Sequence, residues 1–155
     1  MGYEFELLSP TDKPALLGIS SIECQAQVLA ALDSLGYKVH PAQSMDDFIN
    51  RFTQIPYQVA IIEELFDCTS AGDNRALAFI QNLPMALRRH ATIILLGDHF
   101  QPLQPLQAFQ QSVHAVVNSN DLASLFNIIP KVVSDNDLFL TAYRQMQERA
   151  AKGKE

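Results

Sequence analysis

The sequence predicts an α/β domain built on a five-stranded, doubly wound parallel sheet, and three observations carry that prediction. The first is the run Val59-Ala60-Ile61-Ile62, which has no polar alternation and so reads as a strand covered on both faces. The second is the recurrence of such runs between stretches with helical spacing of apolar residues, a β-then-α rhythm that right-handed crossovers turn into a sheet with helices on both sides. The third is size: 155 residues suffice for one domain with a proper core and are too few for two.

Residues 3–8, Tyr-Glu-Phe-Glu-Leu-Leu, alternate as an edge strand or ordered arm, and Ser9-Pro10-Thr11-Asp12-Lys13-Pro14 ends it. Residues 1–13 are therefore read as an N-terminal arm, 14–133 as the domain and 134–155 as a helical extension. Ala15 to Ile19 is the first buried strand. Ser20-Ser21 caps a helix whose Val28, Leu29, Leu32 and Leu35 lead to Gly36, a natural stop. Tyr37 to His40 is a short strand, and Ser44-Met45-Asp46-Asp47 opens a helix with a capping-box pattern. Its apolar side is Met45, Phe48, Ile49 and Phe52.

The Val59–Ile62 run is expected at the centre of the sheet and ends in Glu63-Glu64. A long loop from Leu65 to Asn74 leads to a helix with Leu77, Ile80 and Leu83 on one side. Thr92 to Leu96 is a fourth strand, a short helix is expected around Leu106 and Phe109, and Ala115-Val116-Val117 is a fifth strand. Asp121 is read as the cap of the last helix. From there Leu122, Leu125, Ile129, Val132, Asn136, Phe139, Tyr143 and Met146 are spaced alternately by three and four, the interval of a heptad seam.

Composition narrows the function classes. Hydrophobic residues are 48% of the chain with no run long enough to span a bilayer, and the start Met-Gly-Tyr-Glu-Phe-Glu has no signal core, so a cytoplasmic protein is expected. A net charge of −6 opposes nucleic-acid binding, which relies on Lys and Arg replacing condensed counterions. Cys24 and Cys68 form no Cys-x-x-Cys pair and are read as reduced thiols.

The element order, the stretch Leu32-Asp33-Ser34-Leu35-Gly36-Tyr37-Lys38-Val39 and the strand Tyr57 to Ile62 together resemble the receiver domain of bacterial two-component response regulators, over roughly residues 14–133. The resemblance implies the flavodoxin-like (βα)5 fold of CheY-like receivers. It also implies where a phosphorylation site would be: an aspartate ending the third strand, an acidic pair ending the first that holds Mg²⁺, a Thr or Ser after the fourth and a Lys after the fifth. The matching positions here are Glu63; Ser20 and Ser21, with Ile19 replacing one of them if the register shifts by one; Gly97; and Ser119 or Asn118. Every distinctive group differs. The resemblance thus implies a pseudo-receiver, a non-enzymatic signalling or scaffolding module that works through protein partners, with no cofactor and no metal. The alternatives are a nucleotide or anion sensor at the strand ends, suggested by Ser20-Ser21 before a helix, and an atypical receiver that is still phosphorylated.

Two further readings concern side chains. Glu63, Glu64, Asp67, Asp98 and His99 are suitable metal ligands in type, but no helix or hairpin spacing fixes them together, so solvated loop carboxylates are expected, with Glu63 bonded to Ser20 or Ser21. In the tail, a continuous helix would expose Phe139, Tyr143 and Met146 and suggests a homodimer seam with Asn136 setting register. A break at Ser134-Asp135-Asn136-Asp137, with the last helix folded back on the domain, is the competing arrangement.

Overall fold

The computed structural model describes residues 13–68, 73–83, 91–98 and 113–153. The expected N-terminal arm and the helix around Leu106 and Phe109 lie outside the described residues. Five parallel strands, β1 (Pro14–Gly18), β2 (Lys38–Pro41), β3 (Val59–Glu63), β4 (Thr92–Gly97) and β5 (Ala115–Asn118), form one sheet in the order β2-β1-β3-β4-β5. The described helices are α1 (Ile22–Ser34), α2 (Met45–Gln54), α3 (Arg75–Asn82) and α4 (Leu125–Gly153), the last preceded by a 3-10 turn at Leu122–Ser124. This is the doubly wound order in which the chain reverses direction across the sheet between β1 and β3, leaving a crevice at their carboxyl ends.

The inner strands β1, β3 and β4 are apolar through most of their length because each face has its own helical cover. Leu16, Ala60, Ile62, Ile93, Leu95 and Val116 point to the side packed by α2 and α3. Their neighbours Leu17, Ile61, Ile94, Leu96 and Val117 point to the side packed by α1 and α4. The period-two alternation between two dry layers explains why no polar residue interrupts β3, the central strand, whose first four residues are fully buried.

Helix ends follow local chemistry. Ser21 Oγ accepts from Cys24 N–H at the start of α1, and Ser44 Oγ accepts from Asp47 N–H at the start of α2. The Asp47 carboxylate accepts in return from Gln43 N–H and from Arg51, a turn later. Gly36, at φ +86°, lets the chain leave α1, and Lys13 Nζ donates to Leu35 O while lying 4.6 Å from the Tyr37 ring centre.

One departure occurs in the C-terminal region. Asp121 makes no side-chain bond to a helix N–H; its carboxylate accepts from Ser124 Oγ, and a 3-10 turn intervenes before α4. Of the two expected arrangements of the tail the continuous helix is the one found: α4 runs without a break through Ser134–Asp137, with Pro130 inside it. Asn136 is 6% exposed and its Nδ2 donates to Thr92 Oγ1 at 3.1 Å, tying α4 to the start of β4. The stripe Leu122, Leu125, Ile129, Val132 and Asn136 is therefore an internal surface of the domain, and the part of α4 that packs on the sheet extends to Asn136. None of the described helices is long and apolar enough to cross a membrane.

Candidate functional site

The site occupies the carboxyl ends of β1, β3, β4 and β5. Strand β1 ends at Gly18, where a larger residue has no room: a Cβ would lie 2.9 Å from Phe66 Cδ2 and 3.0 Å from Phe48 Cδ2. Phe66, 2% exposed, comes from the turn after β3 and Phe48 from α2, with ring centres 6.0 Å apart. Two aromatic rings thus fill the α2 side of the crevice beneath the loops.

Above them the polar groups satisfy one another. Glu63, the last residue of β3, accepts through Oε1 from Ser20 N–H at 3.0 Å. Ser20 Oγ accepts from Asp67 N–H at 2.7 Å, and Asp67 Oδ2 accepts from Met45 N–H at 3.0 Å, at the start of α2. Asp67 adopts φ 54°, a left-handed conformation that Asp tolerates better than most residues and that points its amide at Ser20. The β1–α1 loop, the β3–α3 loop and the N-terminus of α2 are consequently stitched together by a serine and two carboxylates.

Asn74, 2% exposed, supplies a second tie that the sequence did not disclose. Its Nδ2 donates to Glu63 O and Glu64 O, both at 3.1 Å, while its Oδ1 accepts from Leu77 N–H and caps α3. Loop carbonyls after a buried strand have no ladder partner, so one amide side chain serves both the loop and the helix. An Asn before an apolar-periodic stretch is the available sequence signal for the cap; nothing local signals the bonds to Glu63 and Glu64.

On the other side of the crevice, Gly97 ends β4 and its carbonyl accepts from Ser119 N–H. Asn118 Nδ2 donates to Asp98 O, and its Oδ1 accepts from Asn120 N–H, closing the turn after β5. No Lys or Arg occurs from residue 113 to 124. Ser21 serves as the α1 cap, so of the two serines only Ser20 joins Glu63. Cys24 stands nearby, but burial raises its thiol pKa, the Ser21 hydrogen bond opposes this, and the charges of Glu63 and Glu23 raise it further. Its surroundings therefore disfavour the thiolate, the reactive form of a cysteine.

Among the described residues, no group of three or more His, Cys, Asp or Glu is arranged to hold a metal ion. His99 lies outside the described residues. His40, in β2, has its Nδ1 2.9 Å from Tyr57 Oη, and His114 Nδ1 accepts from Ile93 N–H, so both take part in hydrogen bonds within the sheet layer.

No protein-family model matches the chain, and no curated protein matches it. Similar solved structures do exist. A CheY-like response regulator receiver domain from Methanospirillum hungatei superposes with a TM-score of 0.63 at 11% identity, covering 82% of this chain and 98% of its own. A response regulator from Thermotoga maritima gives 0.62 at 12%, covering 79% and 98%. The chemotaxis response regulator CheY4 of Vibrio cholerae gives 0.58 at 16%, covering 79% and 99%. At these identities the likeness concerns fold, and it agrees with the strand order and the helix placement above. The chain shares the doubly wound (βα)5 fold of the CheY-like response-regulator receiver domains, extended by a long C-terminal helix.

Proposed function

We propose that this chain is a receiver-like signalling module that takes no phosphate and acts through protein contacts. The observation that carries the reading is the chain of bonds linking Glu63, Ser20, Asp67 and Met45 at the place where a receiver holds Mg²⁺ and phosphate. Magnesium asks for near-octahedral oxygen ligation and generally a carboxylate with charge to spare. Here Ser20 and Ser21 are neutral, and the Glu63 carboxylate already accepts from Ser20 N–H. In-line phosphoryl transfer depends on ångström-scale placement of the attacking oxygen. A glutamate carries that oxygen one methylene beyond an aspartate, and Gly97, Asn118 and Ser119 offer no hydroxyl-and-ammonium pair to follow a phosphoryl group.

The contact element in this proposal is the outer part of α4, acting with a second copy of the chain or another protein. Helix α4 has 29 residues, about 44 Å of length, and the part after Asn136 contributes roughly 25 Å of it. Leu138 and Met146 are each 69% exposed there. Most of a helix's stability in a protein comes from covering an apolar face, and the outer part of α4 gains it when its apolar side chains are covered. Met146 is the described residue of the proposed seam; the side chains of Phe139 and Tyr143, expected to share it, lie outside the described residues, and Asn136, being bonded to Thr92, is not part of it.

The test is incubation with Mg²⁺ and an acyl-phosphate donor, read by intact mass. No added phosphate is expected. A stable gain of one phosphoryl mass that disappears in Glu63→Ala would overturn the reading.

A further inference from the structure

Apart from the tail, the described surface exposes few large apolar side chains, and two of them flank the closed site. Ile22, the first residue of α1, is 85% exposed, and Leu65, in the turn after β3, is 46% exposed. Ile22 lies two residues after Ser20 and Leu65 two after Glu63, and Ser20 and Glu63 are joined by a 3.0 Å hydrogen bond, so the two apolar groups stand on adjoining loops. Neither contributes to either core layer.

The charge around them is one-sided. Exposed carboxylates on the loops and helix starts at this end of the sheet are Glu23, Asp46, Asp67, Asp73 and Asp98. The described cation there is Arg75, whose Nη1 is 3.3 Å from Asp46 Oδ1. Lys13, Lys38 and Lys131 belong to the opposite end or to the flank of α4. Among the described residues, the face that carries Ile22 and Leu65 therefore has an excess of exposed carboxylates over cations. Negative charge at the N-termini of α1 and α2 is locally favourable because of the helix dipoles, which accounts for Glu23 and Asp46 but not for two bare apolar side chains between them.

We infer that this end of the sheet is a docking surface for a cationic amphipathic segment of a partner protein, with Ile22 and Leu65 receiving its apolar side chains and the surrounding carboxylates pairing with its Lys and Arg. Charge complementarity selects that occupant: an acidic or neutral segment would meet uncompensated carboxylates, and a purely basic one would leave the apolar pair uncovered. Because each loop is fixed by the Ser20, Asp67 and Asn74 bonds, little ordering is required on binding. The inference stands whether or not the domain accepts phosphate.

The probe is a synthetic 18-residue Lys/Leu amphipathic helix, compared with a Lys/Ser peptide of equal charge and a Glu/Leu peptide of opposite charge, each titrated into the full chain. Backbone amide NMR locates the site. The expected result is saturable shifts confined to residues 20–24, 64–67 and 98 with Lys/Leu, and affinity lower by about tenfold or more for Lys/Ser, the size of one lost apolar contact. Ile22→Ser with Leu65→Ser should produce the same loss, and Glu23→Lys with Asp73→Lys should reduce both the affinity and its salt dependence. Equal binding of Lys/Leu and Lys/Ser, indifference to the Ile22 and Leu65 changes, or shifts centred elsewhere would each overturn the inference. The amide spectrum of every variant reports whether it is folded, and Ile22→Ala with Leu65→Ala provides a milder pair should the serines disturb the loops.

Discussion

Replacing Asn136 by Ala separates a residue of the fold from a residue of an association seam. Asn136 is 6% exposed and Thr92 1%, and the 3.1 Å bond between them lies where α4 crosses the start of β4. Removing the amide leaves the Thr92 hydroxyl without this donor and opens space in a dry contact. A buried polar group deprived of its partner costs about 1–3 kcal/mol. For a domain of this size that corresponds to a fall in melting temperature of roughly 3–10 °C. Urea unfolding of Asn136→Ala should show a lower midpoint and an unchanged slope, at every protein concentration tested. Changing both partners, Asn136→Leu with Thr92→Val, should recover most of the loss, since an apolar pair of similar shape leaves nothing unsatisfied. If Asn136→Ala instead unfolds like the unaltered chain but shifts a concentration-dependent self-association, the residue belongs to a seam and the intramolecular account of α4 is wrong.

Other perturbations have definite outcomes. Gly18→Ala puts a methyl group 2.9 Å from Phe66 and 3.0 Å from Phe48, two buried rings with little freedom, and should cost about 1–3 kcal/mol in denaturant unfolding, with Phe48→Leu partly restoring stability. Asn74→Ala removes the α3 cap and the donor to two loop carbonyls, and a loss of about 2–4 kcal/mol is expected, with faster amide exchange at residues 64–68. Burial raises the Tyr57 hydroxyl from 10.0 to about 12, against the opposing hydrogen bond and charge of Arg51. The unfolded chain therefore loses this proton first: the Tyr57 contribution is intact below pH 10 and is lost as pH rises toward 12, on the order of 2 kcal/mol in all. Unfolding midpoints measured from pH 9 to 12 should fall more steeply for the unaltered chain than for Tyr57→Phe.

Much of the fold is legible in the sequence because it rests on local periodicity and on burial on both faces. The run Val59 to Ile62 declares a central strand, Ser44 to Asp47 declares a helix start, and Leu-Gly-Tyr declares the exit from α1. Strand limits shift by a residue, as at β1, which ends on Gly18 and not Ile19, although Ile19 is buried as expected. The candidate site was legible as a set of residue types: Glu63 does meet Ser20, through the serine's backbone amide. Long-range polar bonds were not legible. Asp67 capping α2 from 22 residues away, Asn74 reaching back 10 and 11 residues, and Asn136 reaching Thr92 across 44 have no sequence period. The tail illustrates the same limit, since a three-four spacing is shared by a coiled-coil seam and by a helix lying on a sheet. In α4 that spacing serves the sheet as far as Asn136.

The most direct test of the closed site is a Mg²⁺ titration followed through the amides of Ser20, Glu63 and Asp67, repeated with beryllium fluoride as a phosphoryl mimic. The account predicts that these three signals stay in place apart from the uniform drift caused by ionic strength. Saturable movement of Ser20 and Glu63 at millimolar Mg²⁺, enhanced by beryllium fluoride and propagated to Gly97 and Ser119, would contradict it.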